Sequence, residues 1–399
     1  MSLVAAKIAS ALEASSWIRR MFEEGIALKQ QYGEDAVCDF SLGNPDLPPP
    51  QAVAEGMKKL AQTLDQPFAL GYMPNAGFSW AREQLAAWLS REQQTPVAAA
   101  DVILTCGAAG GINAFFRAVL DPGDEVLCFA PYFVEYGAYA GNHGGVLKPV
   151  PAVPKSFAPD PVALEAAVTK RTRALIINSP NNPTGVIYSR EQIERVCAVL
   201  LAASERNGRP VFLLSDEPYR FLAFDGARVP SVLPLYPYAV LGSSFSKNLS
   251  MAGERLGYLA LSSGMEGRER LMAALTMTNR TLGFVNPPVV AQHLMAAALG
   301  SQVDVGIYER RRNAMAGVLA GAGYSFQLPQ GAFYFFPEAP GGDDVAFVRR
   351  LAQERVLGVP GSGFGCPGHF RLAFCVEEKV ILRAAEGLAR AYNISRSMA

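Results

Sequence analysis

From about residue 100 the chain repeats one pattern: a short, nearly unbroken apolar run, then a stretch with helical spacing. "DVILTCG" leads into "GGINAFFRAVL" and "DEVLCFAP" into "YFVEYGAYA". "RALIINSP" leads into a long helical segment, residues 190–204, and "PVFLLSDEPY", "YAVLGSSFSK" and "RLGYLAL" follow. Apolar runs without polar alternation are strands buried on both faces, and their alternation with helices predicts a mainly parallel sheet covered by helices on both sides.

Either side of this region the pattern changes. Residues 1–40 read as a helix with a polar face, ended by the proline-rich "FSLGNPDLPPP". Beyond residue 300 come a helix (308–320), "GYSFQLPQGAFYFFPE", a helix (343–354), "FRLAFCV" and a closing helix (377–392). The expected fold is α/β: a large domain with the mainly parallel sheet (50–295) and a smaller α+β domain built from both chain ends. Residues 1–49 give the N-terminal arm and part of the small domain, and residues 296–399 the rest. A chain of 399 residues is too long for a single ordinary core, in line with this division.

Composition narrows the function little. Lys+Arg and Asp+Glu both number 36, so charge gives no case for nucleic acid or an anionic membrane. No run of about 20 apolar residues suggests a membrane span, and the amphipathic N-terminus lacks a leader's apolar core. Six dispersed cysteines form no metal-binding pair and read as buried thiols of a reducing compartment. A cytoplasmic protein is expected.

The chemistry gathers where the apolar runs end, which in an open parallel sheet is where ligands bind. Gly107-Ala108-Ala109-Gly110-Gly111 opens a helix with small residues, so backbone N–H groups can approach an anion. Ser179-Pro180-Asn181-Asn182-Pro183 is stiff and aims two amides. Asp216 and Tyr219 follow one strand; a carboxylate there needs a cation or hydrogen bonds. Ser244, Ser246, Lys247 and Arg255 follow the next, and a dehydrated lysine beside other cations is an amine nucleophile. Each piece alone has an ordinary explanation as a turn, a cap or an ion pair. Together they ask for a phosphorylated pyridine aldehyde with a ring hydroxyl, which is pyridoxal 5′-phosphate.

The ordered set "GNPD", "YMPNAG", "TCGAAGG", "PYFVEY", "NNPTG", "DEPY", "SFSK", "GAFYFF", "VPGSGFG" and "FRLAF" resembles the class I/II aminotransferases of the fold-type I pyridoxal-phosphate enzymes. The resemblance implies an enzyme that moves an amino group between an L-amino acid and a 2-oxo acid by a ping-pong route. It implies Lys247 as the Schiff-base lysine, Asp216 at the pyridine nitrogen, Tyr219 and Asn182 at the ring oxygen, and Phe133 on the ring face. Ala108 and Ala109 N–H groups, Ser244 and Arg255 would take the phosphate. Tyr72 would reach the phosphate of a neighbouring subunit, implying a homodimer with shared sites. Arg371 would clamp the substrate α-carboxylate, with Gly43 and Asn182 alongside. Asn44 replaces a frequent glutamate, which questions how its loop is tied down.

Substrate choice is open at this stage. Arg280 stands near where some relatives carry a second cation, one residue out of step, and reads as a surface arginine. Trp17, Phe40 and Phe333 are candidates for an apolar side-chain pocket. A carbon–sulfur lyase or an aminocyclopropane-carboxylate-synthase-like enzyme is the alternative on the same scaffold, and a non-catalytic regulatory module a more distant one.

Overall fold

A computed structural model describes residues 3–13 and 17–398. Its centre is a seven-stranded sheet. Across it the strands run Val102–Cys106, Leu256–Leu261, Ala239–Ser244, Phe212–Asp216, Thr172–Asn178, Glu125–Ala130 and Val146–Pro151. The last five pair in parallel, whereas Leu256–Leu261 is antiparallel to both its neighbours. The reason is the length of its connection. Residues 245–255 are too few for a crossover helix, so the chain turns back beside the strand it has just left.

Alternation along each strand divides the apolar residues between two cores. Leu175, Ile177, Leu213 and Leu241 face one side, packed with Leu85, Leu89, Val196, Leu200 and Leu294 from three helices. Ala174, Ile176, Leu214 and Val240 face the other, against Ile112, Phe115, Tyr136 and Leu275. Both faces are dry, which is why the strands carry no polar alternation. The long helix Arg190–Asn207 starts at a reciprocal cap between Ser189 and Gln192 and stops at left-handed Gly208.

A third, aromatic-rich core forms the smaller α+β unit. Met21, Cys38 and Phe40 from the N-terminal part pack with Tyr308, Phe333, Phe335, Phe347, Phe370 and Leu372 from the C-terminal part. Cys38–Asp39 pairs with Val356–Leu357, so the two chain ends are also joined by backbone hydrogen bonds. Tyr219 and Leu222, just past a strand of the large sheet, belong to this core too, placing Tyr219 at the seam. Of the N-terminal stretch expected as one helix, Ala6–Glu13 and Trp17–Tyr32 are helical. The closing helix is two, Glu378–Arg383 and Ala385–Met398. Asp46, in the loop whose tether was in question, accepts two hydrogen bonds from Arg311, at 2.7 and 2.8 Å. The cysteines are free; Cys38, Cys128, Cys197 and Cys375 are buried and Cys106 and Cys366 half-buried, a partial departure from uniformly buried thiols. No described helix is long and apolar enough to cross a membrane.

Gly257 sets how closely helix Gly107–Val119 approaches the sheet. A methyl there would lie 2.6 Å from Ala108 N and 2.7 Å from Ser243 O, both backbone atoms that cannot swing aside. Gly257→Ala is expected to destabilise the protein by about 1–3 kcal/mol, the usual cost of overpacking, read from urea-unfolding midpoints. An unchanged midpoint would show that the helix start is free to shift.

Candidate active site

Three strands of the large sheet end beside one another and each delivers a functional group. Thr172–Asn178 ends on Asn178, whose side chain joins two loops: Nδ2 donates to Asp216 O (2.8 Å) and Oδ1 accepts from Asn182 N (2.7 Å). Within the following turn Asn181 Oδ1 accepts from both the N–H and the hydroxyl of Thr184, folding the turn on itself. That leaves Asn182 to face inward. Phe212–Asp216 ends on Asp216, and Ala239–Ser244 runs on to Lys247 in the short connection to the reversed strand.

A cavity of about 250 Å³ lies over these ends. Of the residues expected at the site, Gly43, Ala108, Ala109, Phe133, Asn182, Asp216, Tyr219, Lys247 and Arg371 line it. Ser244 and Arg255 do not. Arg255 is exposed, but its guanidinium packs against Gly107, 2.9 Å from where a β-carbon would be, so it stands at the N-terminus of helix Gly107–Val119. Tyr72 is 94% exposed and lies away from the cavity of its own chain. Arg280 is exposed on helix Arg268–Thr281 and does not line the cavity. Phe40 and Phe333 are buried in the aromatic core rather than lining the cavity. The side chain of Trp17 lies outside the described residues.

Lys247 Nζ donates to Gly43 O at 2.8 Å. Burial pushes its amine down to about 8, and the Arg371 and Arg255 guanidinium groups add to the effect. Asp216 is 7% exposed. Burial pushes its carboxyl up to about 7, assisted by neighbouring Glu217 and opposed by a 2.6 Å hydrogen bond that Tyr136 donates to Oδ2. Its other oxygen, Oδ1, has no partner. Arg371 is 2% exposed and sits between the rings of Tyr334 and Phe364, each 4.8 Å from its guanidinium carbon. It donates to Asn182 Oδ1 (3.1 Å) and Ser41 O (2.6 Å), while its Nε has no partner. No carboxylate among the described residues pairs with it. Desolvation therefore lowers its pKa.

Four polar residues of the cavity escaped the sequence reading: Asn178, Tyr136, Tyr139 and Tyr334. Tyr136 stands three residues after Phe133, one helical turn on, which was the available signal. Tyr334 was passed over for its neighbour Phe333. Phe333, in the turn just before strand Tyr334–Phe335, packs into the aromatic core with its ring centre 5.7 Å from Lys247 Nζ, while Tyr334 lines the cavity. Its hydroxyl lies 2.7 Å from that of Tyr219.

The arrangement combines a nucleophilic amine, a buried carboxyl seeking an N–H, a guanidinium seeking a carboxylate and a helix start able to hold an anion. Known proteins resemble this chain over most of its length. The family described as "Aminotransferase class I and II" matches residues 35–388. The aspartate/prephenate aminotransferase of Thermus thermophilus is 34% identical over 383 residues, covering 92% of this chain and 93% of that one. The aspartate aminotransferase of Thermotoga maritima is 33% identical over 363 residues, covering 90% and 91%. Among solved structures, an aminotransferase from Eubacterium rectale superposes with a TM-score of 0.94 at 35% identity, covering 98% of this chain and 99% of that one. The aspartate aminotransferase of Thermus thermophilus with maleate superposes at 0.86 and 29% identity, covering 98% and 100%. With a match over most of its length and the same fold throughout, the chain belongs to the class I and II aminotransferases and is a transaminase.

Proposed function

We propose that this transaminase works with pyridoxal 5′-phosphate held through Lys247, and exchanges an amino group between an L-amino acid and a 2-oxo acid that occupy one cavity in turn. The observation that carries the reading is a pair of unmet demands beside the lysine. Asp216 Oδ1 and Arg371 Nε are both buried and unpartnered, and both residues line the cavity that holds Lys247. Buried polar atoms without partners are costly. A protonated ring nitrogen answers the first and a substrate carboxylate the second.

When bound, pyridoxal phosphate supplies an aldehyde for amines and a ring that accepts the electron pair released at the substrate α-carbon. The chain's own groups do the rest. Lys247, partly neutral near pH 8, holds the aldehyde. Its amine would also be placed to act as base and then acid for the substrate α-proton. Asp216 keeps the proton on the ring nitrogen, with Tyr136 and Asn178 holding the carboxylate segment in place. Tyr219 and Asn182 serve the ring oxygen and Phe133 the ring face. The N–H groups of Ala108 and Ala109, with Ser244 and Arg255, hold the phosphate. Arg371 clamps the α-carboxylate beside Gly43 and Asn182.

The relatives' names point to aspartate as a donor. Within one described chain the cavity's cations are Lys247 and Arg371, which matches the single carboxylate that every α-amino acid carries. A second carboxylate would need a cation brought from outside these lining residues. Tyr72 and its neighbours Phe68 (90% exposed) and Leu70 form an exposed apolar stretch suited to a second copy of the chain, with Tyr72 reaching the partner's phosphate cradle. We place the enzyme in the cytoplasm as a homodimer.

Three outcomes are expected. Lys247→Ala loses the visible absorbance band of the purified protein and slows transamination by about 10³-fold or more; an unchanged rate rejects the assignment. Sedimentation at micromolar concentration gives a dimer, and a monomer would remove the role given to Tyr72. The third concerns pH. Asp216 is ionised in the unfolded chain above about 3.8 but stays protonated in the folded, cofactor-free protein up to about 7. The folded state then binds more protons, so the penalty is absent below pH 4, grows between 4 and 7 and is full above 7. Cofactor-free Asp216→Asn is therefore more stable than the parent at pH 8 by a few kcal/mol, and the urea midpoints converge as pH falls toward 4. A pH-independent difference would contradict this origin.

A further inference from the structure

We propose that Tyr334 is a positioning residue for the reaction: its hydroxyl donates to Tyr219, so that the Tyr219 proton points outward to the cofactor ring oxygen, while its ring supports the Arg371 guanidinium. The inference rests on the role given above to Tyr219.

The direction of the contact follows from the number of protons available. Tyr219 and Tyr334 are both buried, and their hydroxyl oxygens lie 2.7 Å apart. Burial pushes the Tyr219 phenol well up and that of Tyr334 to about 12, so each carries its proton at working pH. A phenol has one proton to give. Of two neutral phenols in contact, one donates and the other accepts. If Tyr219 spends its proton on Tyr334, it has none for a ring oxygen. If Tyr334 donates, the Tyr219 proton is available, and Tyr219 becomes a stronger donor because it is itself polarised.

The surroundings keep Tyr334 in place. Gly43 lies so close that a methyl group there would overlap the Tyr334 hydroxyl, and the carbonyl of the same glycine accepts from Lys247 Nζ. The Tyr219 and Tyr334 rings meet edge to face, with centroids 5.6 Å apart at 88°. The Tyr334 ring also lies against Arg371, whose guanidinium carbon is 4.8 Å from its centre. One side chain thus touches the phenol assigned to the cofactor, the cation assigned to the substrate and the glycine that receives the lysine.

A hydroxyl donating to the ring oxygen favours the more negative, deprotonated form of the lysine-bound chromophore, so weakening it raises the pH midpoint of the visible band. The test titrates that band in purified holoenzyme carrying Tyr334→Phe, Tyr219→Phe or both. Tyr219→Phe should raise the midpoint by about one unit or more, Tyr334→Phe by about 0.2–0.5 units, and the double variant no further than Tyr219→Phe alone. A fall for Tyr334→Phe would mean that Tyr219 had been donating to it, and no change that the contact is idle; either outcome overturns the proposal. So would an effect of Tyr334→Phe that persists without the Tyr219 hydroxyl. A parent protein with no visible band after incubation with pyridoxal phosphate would overturn the cofactor reading instead, so the two failures are distinguishable.

The ring is tested separately by steady-state kinetics. Tyr334→Phe keeps the aromatic face and should leave KM for the amino donor within about twofold, whereas Tyr334→Leu should raise it about fivefold or more. Equal KM values for the two variants would remove the support given to Arg371. Urea midpoints of each variant exclude loss of fold as the cause.

Discussion

The structure depends on keeping three ionisable groups buried in one cavity without letting them neutralise one another. Lys247, Asp216 and Arg371 all line it, yet among the described residues no ion pair joins any two of them. Lys247 donates to a backbone carbonyl, Arg371 to a carbonyl and an amide oxygen, and Asp216 accepts from a phenol. Neutral partners hold each group in position but leave its charge uncompensated. Desolvation then drives the amine and the carboxyl toward their neutral forms, down to about 8 and up to about 7.

This explains why so much scaffold surrounds so few reacting atoms. Holding polar groups away from both water and each other costs several kcal/mol, and the surplus must come from cores elsewhere. The two dry faces of the sheet supply it, and the antiparallel return at Leu256–Leu261 places the lysine. Because residues 245–255 form a short connection between adjacent strands, Lys247 is tied at both ends to the same sheet that carries Asp216 and Asn178. Gly257, opposite Thr105 and Ser244 in that ladder, lets the start of helix Gly107–Val119 rest on the strand backbone. The amides of Ala108 and Ala109 are thereby set against the same frame.

What could be read from the chain alone follows from how local each feature is. The strands were legible as apolar runs, and Asn182, Asp216 and Lys247 stood out because polar groups directly after such runs need a reason. Arg371 was found only through the resemblance of "FRLAF", since an arginine inside a strand has no local signature. Tyr136 and Tyr334 were not seen. A tyrosine in an apolar stretch is an ordinary core residue, and what makes these two different is a partner 80 and 115 positions away. Phe333 lies in the turn before the two-residue strand Tyr334–Phe335, so no strand pattern in the sequence separates the two. The tether of Asp46 by Arg311 spans 265 positions and was equally hidden. The reversed strand was missed as a reversal because its composition is that of its parallel neighbours; the length of the preceding connection was the clue.

Three of the residues that escaped notice share a character. Asn178, Tyr136 and Tyr334 are neutral, and each orients a residue to which the proposed chemistry assigns a role. A charged group in their place would have paired with Asp216 or Arg371 and quenched it. A phenol offers one directional proton, and an amide offers a donor and an acceptor, without contributing net charge. In a cavity whose reactivity comes from uncompensated charge, neutral hydrogen-bonding side chains can position the acid and the cation while leaving both available. The contacts of Tyr334 with Tyr219 and Arg371 are that arrangement at its most compact, one neutral side chain spanning the groups assigned to cofactor and to substrate.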